Sequence, residues 1–374
     1  MGMIGFLILF PFFAALVMSC MRKSGLVRRC VQFTLCGILV AAVILFAVTS
    51  LVSGETVSYL PHTHGIDMLM LVVEWALVVL VFYYSFKFRK YYCALLSIAQ
   101  TGLMTWLELT GRTEIPGDHI FADKLTIAMS LIIGIVGCLI CVYAIGYMKD
   151  YNRHHLDYKD RRYFFFGMLF LFLGAMMGLI FSSNLIWIYF FWEITSICSF
   201  LLIGYNQTDE AMENSFKALW MNLLGGLGFA VAIAYAAISL QVINIQDLVA
   251  LAVSSDAKAG LALIPVVFLA FAGLTKSAQL PFFRMASGSY GGAYAYQRAA
   301  AFRNHGKGGR IPVNPSGTRH GRQSGGPDGY HHRRLYLPCN LHAGHFPGRW
   351  EKGFGIFHNF QSGADYSLCR CGYA

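Results

Sequence analysis

Charge is scarce in this chain. Only 13% of its 374 residues are Asp, Glu, Lys or Arg, while 56% are hydrophobic. A water-soluble domain carries about 25% charged residues, so a soluble enzyme or binding module is excluded for most of the length. Redox and nucleotide motifs are missing as well. No segment looks like a nicotinamide, flavin or iron–sulfur site. The glycines of LLGGLG (Gly225, Gly226 and Gly228) follow no strand and sit inside an apolar helix, where they read as close helix packing. The cysteines offer no disulfide framework. Cys20, Cys30, Cys36, Cys93, Cys138, Cys141 and Cys198 lie in apolar runs and read as small buried side chains. The CxxC of Cys138 and Cys141 falls within a membrane run and is read as neither a redox nor a zinc site.

What the chain does have is apolar runs of spanning length. A membrane helix needs about 20 apolar residues. Nine candidates occur, at 2–21, 30–53, 66–86, 91–109, 124–148, 163–181, 185–204, 216–240 and 259–283. The first lacks the basic start and small-residue cleavage site of a signal peptide and reads as a retained helix.

The loops support this count. Successive loops hold four, zero, three, one, five and zero Lys/Arg, then one each around 205–217 and 241–258. The positive-inside rule places 22–29, 87–90 and 149–162 in the cytoplasm and the N-terminus outside. The expectation is an all-α polytopic protein of the cell (inner) membrane.

The pattern changes after Pro281. Residues 1–280 hold 17 Lys/Arg and 16 Asp/Glu, whereas 281–374 hold 12 and 3. Residues 285–374 contain no spanning run and are rich in Gly, His and Arg. Such a segment buries too little apolar surface to offset its ordering entropy and reads as a disordered basic tail. Dispersed basic residues without an aromatic platform argue against nucleic acid as its partner.

Three charged residues carry the chemistry. Lys276 lies in the apolar run PVVFLAFAGLTKSAQLPFF, where a charge costs at least about 2.5–3.5 kcal/mol on insertion scales. Pro281 follows and breaks the helix near the charge, as in ion-binding discontinuous helices. Glu193 lies well inside the seventh run, where a carboxylate must be protonated, paired or hydrated. If the two helices are neighbours, a cation approaching the acid favours its ionised form, and its departure disfavours the buried ammonium. That is an elementary step for moving a proton. Lys217 opens the eighth run just after Asp209, Glu210 and Glu213. It reads either as a snorkelling interfacial lysine or as a relay member between Glu193 and Lys276. Glu74 is mid-helix and faces either another subunit or a cavity. Glu108 reads as interfacial. His62, His64, His154 and His155 read as solvated loop residues.

Taken together, YAIGYM, SSNLIWIYFFWEITSICSFLLIGY, SFKALWMNLLGGLGF and AGLTKSAQLPF resemble the antiporter-like proton-conducting membrane subunits. These occur in respiratory complex I, in multisubunit cation/proton antiporters and in membrane-bound energy-converting hydrogenases. The resemblance covers about 120–283, with 1–119 as four preceding N-terminal helices most like the hydrogenase-type members. It implies that Glu193, Lys217 and Lys276 form the first half of a proton channel in a truncated antiporter-like bundle. It also implies partner subunits in a membrane complex. No cofactor belongs to this chain; partners would carry iron–sulfur, nickel–iron, flavin or quinone. The implied function is proton translocation in a redox-driven complex, with a cation/proton antiporter subunit or a non-transporting structural subunit as alternatives.

After TKSAQLPF the chain departs from the family. The genetic code accounts for the departure. Met285 is ATG and Ala286 begins with G, so reading one base later gives TGG, tryptophan. Synonymous codons exist throughout 285–310 that spell, in that frame, the family segment WLPGAMAAPTPISALLHSATMVKAGG. The same shift lets 353–373 spell VLAYSTISNLGLIIACAGVG, a second family segment. Residues 284–374 are therefore read as out-of-frame translation, and the chain as written as impaired.

Overall fold

The computed structural model describes residues 2–22, 25–53, 57–59, 64–112, 119–154, 161–254 and 259–277. The 284–374 segment, Pro281, His62 and His155 lie outside the described residues.

Among the described residues, ten α-helices run α1 (Gly2–Cys20), α2 (Gly25–Ser53), α3 (His64–Lys87), α4 (Tyr91–Leu109), α5 (Lys124–His154), α6 (Arg162–Phe181), α7 (Leu185–Ile203), α8 (Asp209–Tyr235), α9 (Ile245–Val253) and α10 (Ala259–Lys276). A π-helical turn, Ala236–Leu240, extends α8 and ends at Gln241, whose φ of 56° is left-handed. Helix is what long apolar segments must form, because hydrocarbon offers no partner to a free backbone N–H or C=O. Among the described residues, seven helices are long and apolar enough to cross a membrane: α1, α2, α3, α5, α6, α7 and α8. The chain is an all-α, multi-pass membrane protein. Two expected spans fall short of that measure for different reasons. α4 is 19 residues long but carries Ser97, Gln100, Thr101 and Glu108. α10 is apolar, but its described part stops at Lys276.

Successive spans reverse direction, so the helix ends gather on two faces. The first face holds the start of α7 and a belt of extended backbone. There β1 (Val57–Tyr59) pairs antiparallel with β2 (Ile120–Ala122), Val57 opposite Ala122. The belt continues through Ser183 N–H to the His119 carbonyl (2.8 Å), Ile245 N–H to the Ser183 carbonyl (3.1 Å) and Leu185 N–H to the Ile243 carbonyl (3.0 Å). These bonds satisfy backbone groups that the loops would otherwise leave bare.

The first four helices do not pack as one group. α1 and α2 lie against α6 and α5, while α3 and α4 lie against α7 and α8. In sequence, α3 and α4 are an excursion between the two paired strands. Leu69, Val72, Val79 and Tyr83 of α3 are exposed, as on a lipid-facing surface. Its buried stripe runs Met70, Glu74, Val78, Val81 and Ser85, at helical spacing.

α8 begins seven residues before the expected 216. Thr208 caps it, its hydroxyl accepting from Ala211 N–H at 3.3 Å, and Asp209 and Glu210 occupy the first turn, where acids favour the helix dipole. Lys217 therefore sits in the third turn and does not open the helix.

Candidate functional site

The site is built around α7. Asn184 caps the helix, its Oδ1 accepting from Ile186 N–H at 2.8 Å. The Asn184 amide then donates to Nδ1 of His119 at 2.9 Å. The His119 ring stacks on Trp187 at 5.3 Å between centroids, and Trp187 Nε1–H donates to Asp67 Oδ1 at 2.8 Å. The first turn of α7 is thus fixed between the start of α3 and the strand loop. Residues 187–198 are buried without interruption.

Glu193 lies mid-helix in this segment and is only 6% exposed. Its neighbours come from three directions. Gln100 of α4 interacts with the carboxyl side chain to side chain. Gly226 of α8 provides the space. A methyl group there would stand 2.6 Å from Glu193 Oε1 and 2.7 Å from Gln100 Oε1. Lys276 of α10 lies within electrostatic range.

Lys276 is 7% exposed, and its ammonium is anchored on α7. It donates to Ser196 Oγ at 2.6 Å and to the Trp192 carbonyl at 3.2 Å, and it stands 5.0 Å from the centre of the Trp192 ring. The same carbonyl accepts from Thr195 Oγ1 (2.8 Å) and Ser196 Oγ (3.0 Å). Two buried ionisable groups of opposite type therefore share one turn of α7.

The glycines make this closeness feasible. Gly225 faces the Thr275 hydroxyl, and a Cβ at Gly228 would stand 2.9 Å from the Phe271 ring. The LLGGLG segment packs helices, as its position in an apolar run implied. Around it, Oε1 of Gln100, Oε1 of Glu193, Nε1 of Trp192 and Oδ1 of Asn222 are buried without a protein hydrogen-bond partner, and the buried Tyr189 hydroxyl lies beside the Thr101 side chain. Buried polar atoms of this kind are what a chain of water molecules bridges.

Lys217 is not brought to this cluster. Its side chain is 54% exposed and pairs with Glu213 at 2.8 Å, one turn earlier on α8. Nine residues, about 13 Å of helix rise, separate it from Gly226. Glu74, by contrast, is buried (6% exposed) and within electrostatic range of Glu193. Reading by motif missed Gln100, Thr101 and Asp67. The available signal was polar spacing on α4, where Ser97, Gln100, Thr101 and Glu108 recur at helical intervals. Among the described residues, no group of three or more His, Cys, Asp or Glu is placed to hold a metal ion.

Known proteins share parts of this sequence. The family described as "NADH:quinone oxidoreductase/Mrp antiporter, TM" matches residues 182–292. The family "NADH-Ubiquinone oxidoreductase (complex I), chain 5 N-terminus" matches 117–164. Over these two segments the chain is similar to antiporter-like membrane subunits of the complex I and Mrp antiporter type. Among relatives, the Na(+)/H(+) antiporter subunit A1 of Staphylococcus haemolyticus is 31% identical over 199 residues, covering 52% of this chain and 23% of that protein. The subunit of the same name from Staphylococcus aureus is 33% identical over 165 residues, 44% of this chain and 20% of its own length. The chain spans about a quarter of the length of the curated relatives it matches.

Proposed function

We propose that this chain is a proton-translocating subunit of a redox-driven membrane complex, with Glu193 and Lys276 as the central pair of its first half-channel. One observation carries the reading: a buried carboxyl and a buried ammonium meet at one turn of α7, ringed by buried polar atoms without protein partners. Leaving both charges in hydrocarbon is costly, so such pairs are kept for what they move. A proton delivered to Glu193 neutralises it. The ammonium of Lys276 then loses its counter-charge and is poised to release its own proton onward. Trp192 and Ser196 hold the lysine within reach throughout. Lys217, exposed and paired with Glu213, is proposed as a relay member at the mouth of this path, on the basic, cytoplasmic face. The N-terminus would then lie outside the inner membrane.

A second reading is favoured by the names of the relatives, which are Na(+)/H(+) antiporter subunits. In that case the same pair would exchange protons against a cation flow in a partner subunit, with no redox step. Partners in either case are other subunits of a membrane complex; any flavin, quinone, iron–sulfur or nickel–iron group would belong to them.

The test is reconstitution in vesicles. Since 284–374 reads as out of frame, the complex is assembled with the one-base-shifted continuation restored. Proton movement should then vanish in Glu193→Gln and Lys276→Met while the complex still assembles. Movement driven by an electron donor supports the redox-driven reading; movement driven by a cation gradient alone supports the antiporter. Unchanged movement in both variants contradicts the assignment.

A further inference from the structure

α3 and α4 lie before residue 117, outside both matched family segments, yet they pack directly on the helices that carry the site. Three observations concern Glu74 on α3. First, it occupies the buried stripe of a helix whose other faces are largely lipid-facing. A carboxyl there is expensive and is not required for packing. Second, its depth is fixed. Asp67 and Trp187 are hydrogen-bonded at 2.8 Å, and α3 and α7 run in the same direction from that tie. Glu74 is seven residues beyond Asp67 and Glu193 is six beyond Trp187, about 10 Å and 9 Å of rise. The two carboxyls therefore sit at nearly one level.

Third, the polar groups around that level converge. Gln100 Oε1 and Glu193 Oε1 point at the same spot over Gly226, both buried and without a protein partner. The Tyr189 hydroxyl, buried beside the Thr101 side chain, lies on the same helix one turn before Glu193 and within electrostatic range of both acids. The titratable groups facing Glu74 are Glu193 and Tyr189 from α7 and Glu108 from α4. Lys276, beyond Glu193, contributes positive charge on the far side of that acid.

We propose that Glu74 is a second proton-carrying residue, which the α3–α4 pair brings to the level of Glu193 as a side arm of the path. The step balances simply. A proton leaves the Glu74 carboxyl and passes through the polar gap beside Gln100 and Tyr189 to the Glu193 carboxylate. Glu74 becomes the anion and Glu193 the neutral acid. The two acids then share one negative charge, since like charges in a buried site do not both ionise readily. Glu108, near the first-face end of α4, continues the same line of acids toward the surface. This rests on the reading that Glu193 carries protons.

The experiment is infrared difference spectroscopy of the full 374-residue chain in lipid vesicles, titrated from acid to alkaline buffer and following the carbonyl stretch of protonated carboxyls. Glu74→Gln should remove one titrating band and displace the band lost in Glu193→Gln; Glu193→Gln should do the converse. Glu74→Asp, which keeps the acid, should retain two coupled bands and covers the case in which the amide variant does not fold. In the reconstituted complex, Glu74→Gln should slow proton movement on the order of tenfold or more, and Glu74→Asp should restore most of it. If the Glu193 band and its titration are the same with and without a carboxyl at 74, the proposal is wrong. Loss of transport in Glu193→Gln together with that result would leave the function assignment standing. Coupled bands with undiminished transport in Glu193→Gln would sink the function assignment instead.

Discussion

The ammonium of Lys276 is held 2.6 Å from the Ser196 hydroxyl, three residues beyond Glu193 on the neighbouring helix. A lysine on α10 is thereby oriented by α7, and the acid and amine keep one geometry. Hydrogen bonds to charged groups contribute about 1.5–3 kcal/mol. Ser196→Ala should therefore reduce proton movement by at least tenfold while leaving assembly intact. In combination with Lys276→Met it should add nothing, because the group it positions is gone. Transport rates of the two single variants and the double variant check this.

Gly226 makes a separate prediction. Its missing side chain is the space into which Glu193 and Gln100 project. Gly226→Ala should displace both oxygens and abolish transport. Gly102→Ala on α4, where a Cβ meets nothing within 4 Å, should be tolerated. A Gly226→Ala variant with full activity would mean that the Glu193–Gln100 contact is not used.

Lys217 and Glu213 form an exposed i, i+4 pair. Such pairs contribute only a few tenths of a kcal/mol to a helix. Lys217→Ala should leave thermal stability in detergent nearly unchanged. If Lys217 relays protons at the mouth, the same variant should slow transport several-fold, more so at low salt, where exposed charges act over longer range. Equal rates at all salt concentrations would reduce it to an interfacial lysine.

The boundary at Arg284 is tested at the level of DNA. If residues from 284 onward are out of frame, the codons for 285–310, read one base later, must spell WLPGAMAAPTPISALLHSATMVKAGG or a close variant. Codons that cannot spell the segment end this idea.

Much of the site was legible in the sequence. Glu193 and Lys276 stand out because ionisable groups inside apolar runs are costly, and the structure places them on adjoining helices. The glycine run also reads correctly, since glycine in an apolar helix has little use except close approach. Other features were hidden for physical reasons. Hydropathy marks the apolar middle of a helix and is blind to polar first turns, so the apolar run starts at 216 although Thr208 and two acids begin α8 at 209. Gln100 is far from Glu193 in sequence and belongs to a helix outside the resemblance; only packing brings it to the acid. The sequence marks Glu74 as a mid-helix acid facing another subunit or a cavity, and nothing in a sequence fixes the relative depth of α3 and α7. The Asp67–Trp187 bond does.

The most direct measurement is proton movement by the reconstituted complex carrying Glu193→Gln, with assembly verified in the same vesicles. The account predicts that transport falls to the level of vesicles lacking the chain while the complex stays whole. Transport at the unsubstituted rate in a whole complex would contradict it.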